Sequence, residues 1–440
     1  MSALPSSPQA GYAEARHVLL PTLGSAGDVH PFIALGLALR ARGHRVTLLT
    51  NPLFQPLIES LGLGFEPIGT IEWANRVLGH PDLWHPRRGA SVVLRELVAT
   101  VEEVYRRIER HAQDDIVVAA STLALGARIA QDRLGIPTAS VHLQPTVIRS
   151  LYDGGMVGPV RVSNSQPRWL KRALFALLDC AVLDRHLGHA INTLRARLGL
   201  AAVRHWFARW MHSPQCTIGF FPPWFAAPQP DWPAHIHLVG FPLWDDAQRL
   251  ELPPQLSQFV AAGEPPLIFT AGSAASTLHR FFANAVHAAR ALGARAVLVT
   301  NFPEQLPREL PATVLASGYV PFSLLLPRAT LLVHHGGIGT LAQAVRAGVP
   351  QLILPQAHDQ FDNAWRTEQL RLGRSLPHRQ QTARRLRAIL APMLDDESLR
   401  QRCRGYSARV DSAAALERAC ELIAALPARG ASRAQGEGAR

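Results

Sequence analysis

One arrangement occurs twice along the chain: a short apolar run, a glycine-containing loop, an amphipathic stretch, a closing glycine and a second β-branched run. A chain patterned this way builds parallel strands covered by helices, because each strand is followed by a crossover that returns to the same edge of the sheet. In the first half, residues 17–23 read as a strand and Gly24-Ser25-Ala26-Gly27-Asp28 as the loop. Residues 31–42 read as the helix, Gly43 as its left-handed cap and residues 45–50 as the next strand. Residues 115–119, 123–134 and 136–142 repeat strand, helix and strand, with Gly135 as the cap. The second half restarts at residues 266–271, continues through a helix at 278–292 closed by Gly293, and adds strands at 296–300, 330–333 and 351–354. The expected fold class is α/β, with two Rossmann-like domains whose parallel sheets face each other across a cleft.

A length of 440 residues exceeds one compact core, and 48% hydrophobic against 18% charged side chains is enough to bury two. Residues 1–16 read as a disordered N-terminus without the apolar core of a signal peptide. Residues 17–240 form the first domain, the proline-rich residues 241–265 a linker, and residues 266–395 the second domain. Helices follow over residues 396–426, then a disordered tail at 427–440. Between the halves, helical stretches at 168–184 and 191–197 interrupt a looser segment suited to an acceptor pocket.

The net charge of +12 comes almost entirely from arginine, Lys171 being the only lysine, and the arginines are scattered on helix faces. No block of like charge resembles a nucleic-acid tract, so nucleic acid is not an expected partner. Arg161, Arg168, Lys171 and Arg172 precede an apolar run at 174–178, which suits a solvated helix face, an anionic membrane or a fatty-acid carboxylate. Cys180, Cys216, Cys403 and Cys420 are far apart and read as reduced, buried thiols of a cytoplasmic protein. No stretch reaches the roughly 18 apolar residues that cross a bilayer.

In an open parallel sheet, ligands bind beyond the strand ends, where helix N-termini present N–H groups to anions. Val333-His334-His335-Gly336-Gly337-Ile338-Gly339-Thr340 follows a strand and opens a helix. Its glycines allow close backbone approach to a phosphate, while His335 and Thr340 can donate to diphosphate oxygens. The same glycines and histidines also suit an ordinary tight turn with core imidazoles. In the first half, Asp28 is either a helix cap or a base able to take a hydroxyl proton. There is no Asp-x-Asp motif and no cluster at metal-ligand spacing, so metal-independent chemistry is expected.

From Tyr319-Val320-Pro321 through Gly348-Val349-Pro350 to Pro355-Gln356-Ala357-His358-Asp359-Gln360-Phe361-Asp362-Asn363, the chain resembles the donor-binding region of family 1 nucleotide-sugar glycosyltransferases. The loop Gly24-Ser25-Ala26-Gly27-Asp28-Val29-His30-Pro31 resembles that family's catalytic-base loop. The resemblance implies the GT-B fold, an inverting displacement and Asp28 as the base, with His30 out of register for that role. It implies Tyr319 on the nucleobase beside Val320, and His335 and Thr340 on the diphosphate with Gly336, Gly337 and Gly339. It places Ser273 near the phosphates, and Asp359 with Gln360 on the donor-sugar hydroxyls. The family often has Glu where this chain has Gln343 and Trp where it has Tyr319. Gln343 is compatible with a deoxythymidine diphosphate donor, although glutamine also binds a ribose.

Asp114-Asp115-Ile116-Val117-Val118, Trp210-Met211-His212-Ser213-Pro214-Gln215, Pro223-Trp224-Phe225, Asp231-Trp232-Pro233 and Gly240-Phe241-Pro242-Leu243-Trp244-Asp245 are similar to the rhamnosyltransferase B subunits of rhamnolipid synthesis. That likeness spans roughly residues 17–426 and implies transfer from dTDP-L-rhamnose to a 3-(3-hydroxyalkanoyloxy)alkanoate, with no cofactor besides the nucleotide-sugar co-substrate. The alternatives are a UDP-sugar-dependent glucosyltransferase acting on a sterol or polyketide alcohol, a catalytically idle sugar-nucleotide-binding partner protein, and a sugar-nucleotide epimerase. Trp73, Trp84, Trp169, Trp206, Trp210 and Trp224 suit either an apolar acceptor site or the core.

Overall fold

The computed structural model describes residues 15–272, 279–377 and 380–428. The first sheet comprises β1 (His17–Pro21), β2 (Arg45–Thr50), β3 (Gly64–Pro67), β4 (Ile116–Ser121), β5 (Thr138–His142), β8 (Cys216–Gly219) and β9 (Ile236–Leu238), in the order β3-β2-β1-β4-β5-β8-β9, all parallel. The intervening β6 (Gly155–Val157) and β7 (Val160–Val162) form a separate antiparallel hairpin. The second sheet comprises β10 (Leu267–Thr270), β11 (Ala296–Val299), β12 (Val314–Ser317), β13 (Leu331–His334), β14 (Gln351–Ile353) and β15 (Gly373–Ser375). Its order is β12-β11-β10-β13-β14-β15, again parallel. β1, β4 and β10 are buried along their whole length, which is why their sequences run apolar without alternation.

Both sheets reverse direction of growth at one place, between β1 and β4 in the first and between β10 and β13 in the second. The loops leaving those strands diverge there and open a crevice. Topology alone therefore directs the Asp28 loop and the His335 turn to the two crevices.

The expected helix at residues 31–42 starts five residues earlier, at Ala26–Ala41, so that Pro31 is inside it. Ser25 supplies the extended N-cap, and the glycine-containing loop is itself the first turn of the helix. The stretch expected at 168–184 is helical at Arg168–Leu178, continues as a π-helix at Asp179–Gly188 and runs on through His189–Arg197. The helices expected over 396–426 are Glu397–Ser407 and Ser412–Ala424, with Asp411 capping the second. The residues 241–265 expected as an irregular linker contain a helix at Pro254–Ala261. The helix Gly89–Arg110 was not anticipated, although Leu97, Val101, Val104 and Ile108 lie on its buried face at helical spacing.

The last described helix returns to the first lobe. The helix Ser412–Ala424 packs on the helix Ala26–Ala41, and an Arg16 guanidinium nitrogen donates to the Leu426 carbonyl at 2.9 Å. A second tie joins the lobes through buried Arg366, whose Nε donates to Asp362 at 2.7 Å and whose Nη2 donates to Asp153 at 2.9 Å. Asp362 also accepts from the Met156 N–H at 3.0 Å. Removing the Arg366 guanidinium would leave buried Asp362 uncompensated, at a cost of about 3–5 kcal/mol.

Cys216, Cys403 and Cys420 are buried as expected, and burial raises their thiols to about 11, 12 and 11. Cys180 departs from the expectation and is exposed, on the solvent side of a π-helix that buries Asp179 and Leu187. Among the described residues, no helix is long and apolar enough to cross a membrane.

Candidate active site

Asp28 is the third residue of its helix and reaches back to the loop that caps it. Its Oδ2 accepts from the Ser25 N–H at 2.9 Å and from the Ser25 hydroxyl at 3.3 Å, leaving Oδ1 for a ligand in the cleft. Capping and proton abstraction are thus compatible on one carboxylate. Asn51 steadies the loop by donating to the Gly24 carbonyl at 3.0 Å. Gly24 has φ +129°, and a Cβ there would lie 2.2 Å from Asp28 Oδ2, so only glycine leaves room for the carboxylate. Burial pushes the Asp28 carboxyl up to about 6, against the pull of both Ser25 hydrogen bonds. The group is mostly ionised at neutral pH and is a stronger base than an exposed aspartate.

Across the cleft, β13 ends in His334 and the helix Ile338–Ala347 begins one glycine after the His335-Gly336 pair. The two histidines differ. His334 is fully buried; its Nδ1 accepts from the Gly336 N–H at 3.1 Å, which leaves Nε2 to donate to Gln351 Oε1 at 3.0 Å. It braces the turn. The His335 imidazole lies between Gly272 and Gly337, either of which would place a Cβ within 3 Å of it. Its Nδ1 is buried without a hydrogen-bond partner among the described residues. Burial lowers the imidazole to about 4, so the ring is neutral and carries one N–H donor. A phosphate oxygen would relieve that unpaired group.

The helices Ala26–Ala41 and Ile338–Ala347 direct their N-termini at the same space, and a Cβ at Gly339 would lie 3.9 Å from Gly27 Cα. Thr340 and Gly337 line the cavity beside them. No arginine or lysine lines it among the described residues, so the positive potential there comes from helix ends and N–H groups. Ser273 lies outside the described residues.

Asp359 precedes the helix Gln360–Gln369 and accepts from Asn363 Nδ2 at 2.6 Å. Burial pushes its carboxyl up to about 7, and the charge of Asp28 adds to the rise, so the two carboxylates sense each other across the cleft. Gln360 spends its Oε1 on the N–H groups of Gln356 and Ala357 at 2.9 and 3.1 Å, which leaves its amide nitrogen for a ligand. The Asn363 Nδ2 also donates to the Gly336 carbonyl at 2.9 Å, so the sugar loop and the phosphate turn are one unit.

At the far end of the cavity, Tyr319 is exposed and Val320 is buried beneath it. The Tyr319 hydroxyl donates to the Asp245 carbonyl at 3.0 Å. The Asp245 carboxylate accepts from the Ser323 N–H at 2.7 Å, the Ser323 hydroxyl at 3.0 Å and Gln343 Nε2 at 3.3 Å. Asp245 was not among the residues anticipated. It supplies a carboxylate beside Gln343 and fixes the amide so that Gln343 Oε1 remains an acceptor. Its sequence signal is its place at the end of the segment Gly240-Phe241-Pro242-Leu243-Trp244-Asp245, which carries a resemblance but no assigned role. His30 is neutral, lowered to about 4 by burial, and packs edge-on to Trp244 with centroids 5.0 Å apart. It lines the cavity wall.

The cavity is continuous from this end to the first lobe and encloses about 390 Å³. Trp73, Val77, Leu83, Trp84, Leu97 and Leu123 make the first lobe's wall apolar, with Glu96 held by Trp73 Nε1 at 3.0 Å. Of the other tryptophans, Trp206 is buried core, Trp210 and Trp224 pack partly buried against it, and Trp169 faces outward. His358 bridges the lobes, its ring bonded to the Leu83 carbonyl at 2.9 Å. Among the described residues His17, His111 and Asp114 are close enough to hold an ion, but they gather at the start of β1, the opposite end from the Asp28 loop.

Comparison with known proteins agrees with this geometry. Residues 18–145 match the glycosyltransferase family 28 N-terminal domain, and residues 286–424 match the erythromycin biosynthesis protein CIII-like C-terminal domain. The chain is 32% identical over 430 residues to O-mycaminosyltylonolide 6-deoxyallosyltransferase of Streptomyces fradiae, covering 92% of this chain and 96% of that protein. The crystal structure of the kitacinnamycin glycotransferase superposes with TM-score 0.71 at 22% identity, over 94% of this chain and 100% of the other. The spinosyn rhamnosyltransferase complexed with thymidine diphosphate superposes with TM-score 0.65 at 22% identity, over 92% and 100%. With the two cofacial parallel sheets, these matches establish that the chain belongs to the family 1 nucleotide-sugar glycosyltransferases of the macrolide and glycopeptide type, with the GT-B fold.

Proposed function

We propose that this enzyme moves a 6-deoxyhexose, L-rhamnose first among the candidates, from a deoxythymidine diphosphate donor to a hydroxyl of a lipophilic acceptor, with inversion. The observation that carries the reading is the opposition of Asp28 and His335 in one cavity whose first-lobe wall is apolar. The diphosphate would lie at the N-terminus of the helix Ile338–Ala347, with His335 and Thr340 donating to it and Asp359 and Gln360 on the sugar. Asp28 Oδ1 would take the acceptor proton as the hydroxyl oxygen bonds to the anomeric carbon and the nucleoside diphosphate leaves. Attack from the face opposite the leaving group inverts the centre. Two helix ends and an unpaired imidazole meet the developing charge, so a chelator should leave the rate unchanged.

The donor preference rests on the matched relative whose name describes a deoxysugar transferase and on a structural neighbour bound to thymidine diphosphate, while the Gln343 amide held by Asp245 accommodates either pentose. For the acceptor, a 3-(3-hydroxyalkanoyloxy)alkanoate would have to leave its carboxylate at the cleft mouth, because no cation lines the described wall. The same observation favours, as a second reading, a neutral polyketide alcohol. A panel of dTDP- and UDP-sugars, read by thermal shift and then by turnover on both acceptors, tests these choices. Stabilisation by UDP-glucose but not by dTDP-rhamnose would overturn the donor assignment.

A further inference from the structure

The helix Arg168–Leu178 is built inside out. Lys171 is its one fully buried side chain, 1% exposed, with Nζ donating to the Leu151 carbonyl at 3.1 Å. Meanwhile Trp169 is 70% and Leu177 65% exposed. Trp169, Ala173 and Leu177 recur every fourth residue and form one outward stripe with Leu170 beside it. Tyr152 and Val160, from the hairpin segment that precedes the helix, are exposed as well. Half of the large apolar side chains exposed among the described residues therefore fall within residues 152–177.

Asp153, the one acid between residues 152 and 177, is tied to buried Arg366 at 2.9 Å, and beyond it the charges have one sign. Residues 160–178 include Arg161, Arg168, Lys171 and Arg172 and no Asp or Glu. Arg161, Arg168 and Arg172 are exposed, and Arg168 stacks on Tyr152 at 4.5 Å while donating to its hydroxyl at 2.9 Å. A second copy meeting this patch through a two-fold axis would set arginines against arginines. An anionic bilayer satisfies both halves of the pattern: indole and leucine enter the boundary between headgroups and acyl chains, and guanidinium groups meet lipid phosphates.

We propose that this face docks the enzyme peripherally on an anionic membrane. The same segment is fastened to the sugar loop, since the Met156 N–H donates to Asp362 in the helix that Asp359 precedes. For a lipophilic acceptor, docking places the enzyme on the phase that holds that acceptor. That last consequence rests on the proposed acceptor class; the docking itself does not.

The test is co-sedimentation of the full chain with vesicles of phosphatidylcholine alone or mixed with phosphatidylglycerol, without donor or acceptor. The wild type should sediment with the anionic vesicles, release at high salt and ignore the neutral ones. Trp169→Ser with Leu177→Ser should lower that partition by about tenfold or more, with the melting temperature and turnover on a detergent-free acceptor unchanged. Arg161→Gln, Arg168→Gln and Arg172→Gln together should abolish the preference for anionic lipid. Absence of wild-type binding at low salt, or equal binding by both variants, overturns the proposal. So does a dimer in light scattering that the double variant converts to monomer while vesicle binding is absent. Failure of the donor panel would leave the sedimentation result standing, so the two readings are separable.

Discussion

Gly24→Ala is a one-carbon change aimed at the base without touching it. Gly24 has φ +129°, a region that other residues occupy at a cost of about 1–3 kcal/mol. The added Cβ would meet Asp28 Oδ2 at 2.2 Å, where ordinary contact begins at 3.4 Å, so the carboxylate must retreat by about 1 Å. That movement breaks the 2.9 Å bond from the Ser25 N–H, which both caps the helix and aims the carboxylate. Displacements of about 1 Å at a reacting group cost on the order of 100-fold in rate. Gly24→Ala should therefore lower kcat by about two orders of magnitude and the melting temperature by a few degrees, with donor affinity within about threefold of wild type. Calorimetric titration of the nucleoside diphosphate, a thermal melt and steady-state turnover read the three quantities separately. A variant that folds and turns over normally would refute the claim that Gly24 sets the position of Asp28.

Further outcomes follow from the same cleft. Because burial raises Asp28 to about 6, log kcat/KM should fall with unit slope as pH drops below 6; a value flat down to pH 4.5 would exclude this carboxylate as base. His335→Ala removes a ring nitrogen that has no partner among the described residues and should weaken nucleotide binding about tenfold, by titration, with little change in stability. Asp359 has a folded value raised to about 7, so its contribution to stability is full below the ordinary carboxylate value and is lost as pH rises through 7. Asp359→Asn should accordingly raise the melting temperature of the free enzyme at pH 8, show a smaller gain toward pH 5, and weaken donor binding; equal shifts at both pH values would contradict the sign.

What could be read from the residues was mostly local. The β-branched runs became β2, β11 and β14 with small boundary changes, because buried parallel strands need continuous apolar sequence. Gly135 and Gly293 close their helices at positive φ, as a left-handed cap requires. The start of the helix at Ala26 was missed because Gly24 and Gly27 read as loop, whereas Ser25 and Asp28 form a capped first turn. Asp245 was invisible for a different reason. Its partners Tyr319, Ser323 and Gln343 are brought to it by the second sheet, and no local pattern records such a meeting. Likewise, the roles of His334 and His335 separate only once Gln351 is seen to occupy the first ring and Gly272 to flank the second. The outward Trp169 and Leu177 reverse the usual reading of an amphipathic helix, because folding buried the lysine.

The division of labour between the lobes, base on the first and donor on the second, is tested most directly by Asp28→Asn. The amide oxygen can still accept from the Ser25 N–H, so the cap survives while the proton acceptor is lost. Measured together, donor affinity should stay within about threefold and kcat should fall by about 100- to 10,000-fold. Turnover close to wild type, or loss of donor binding in step with turnover, would contradict the account.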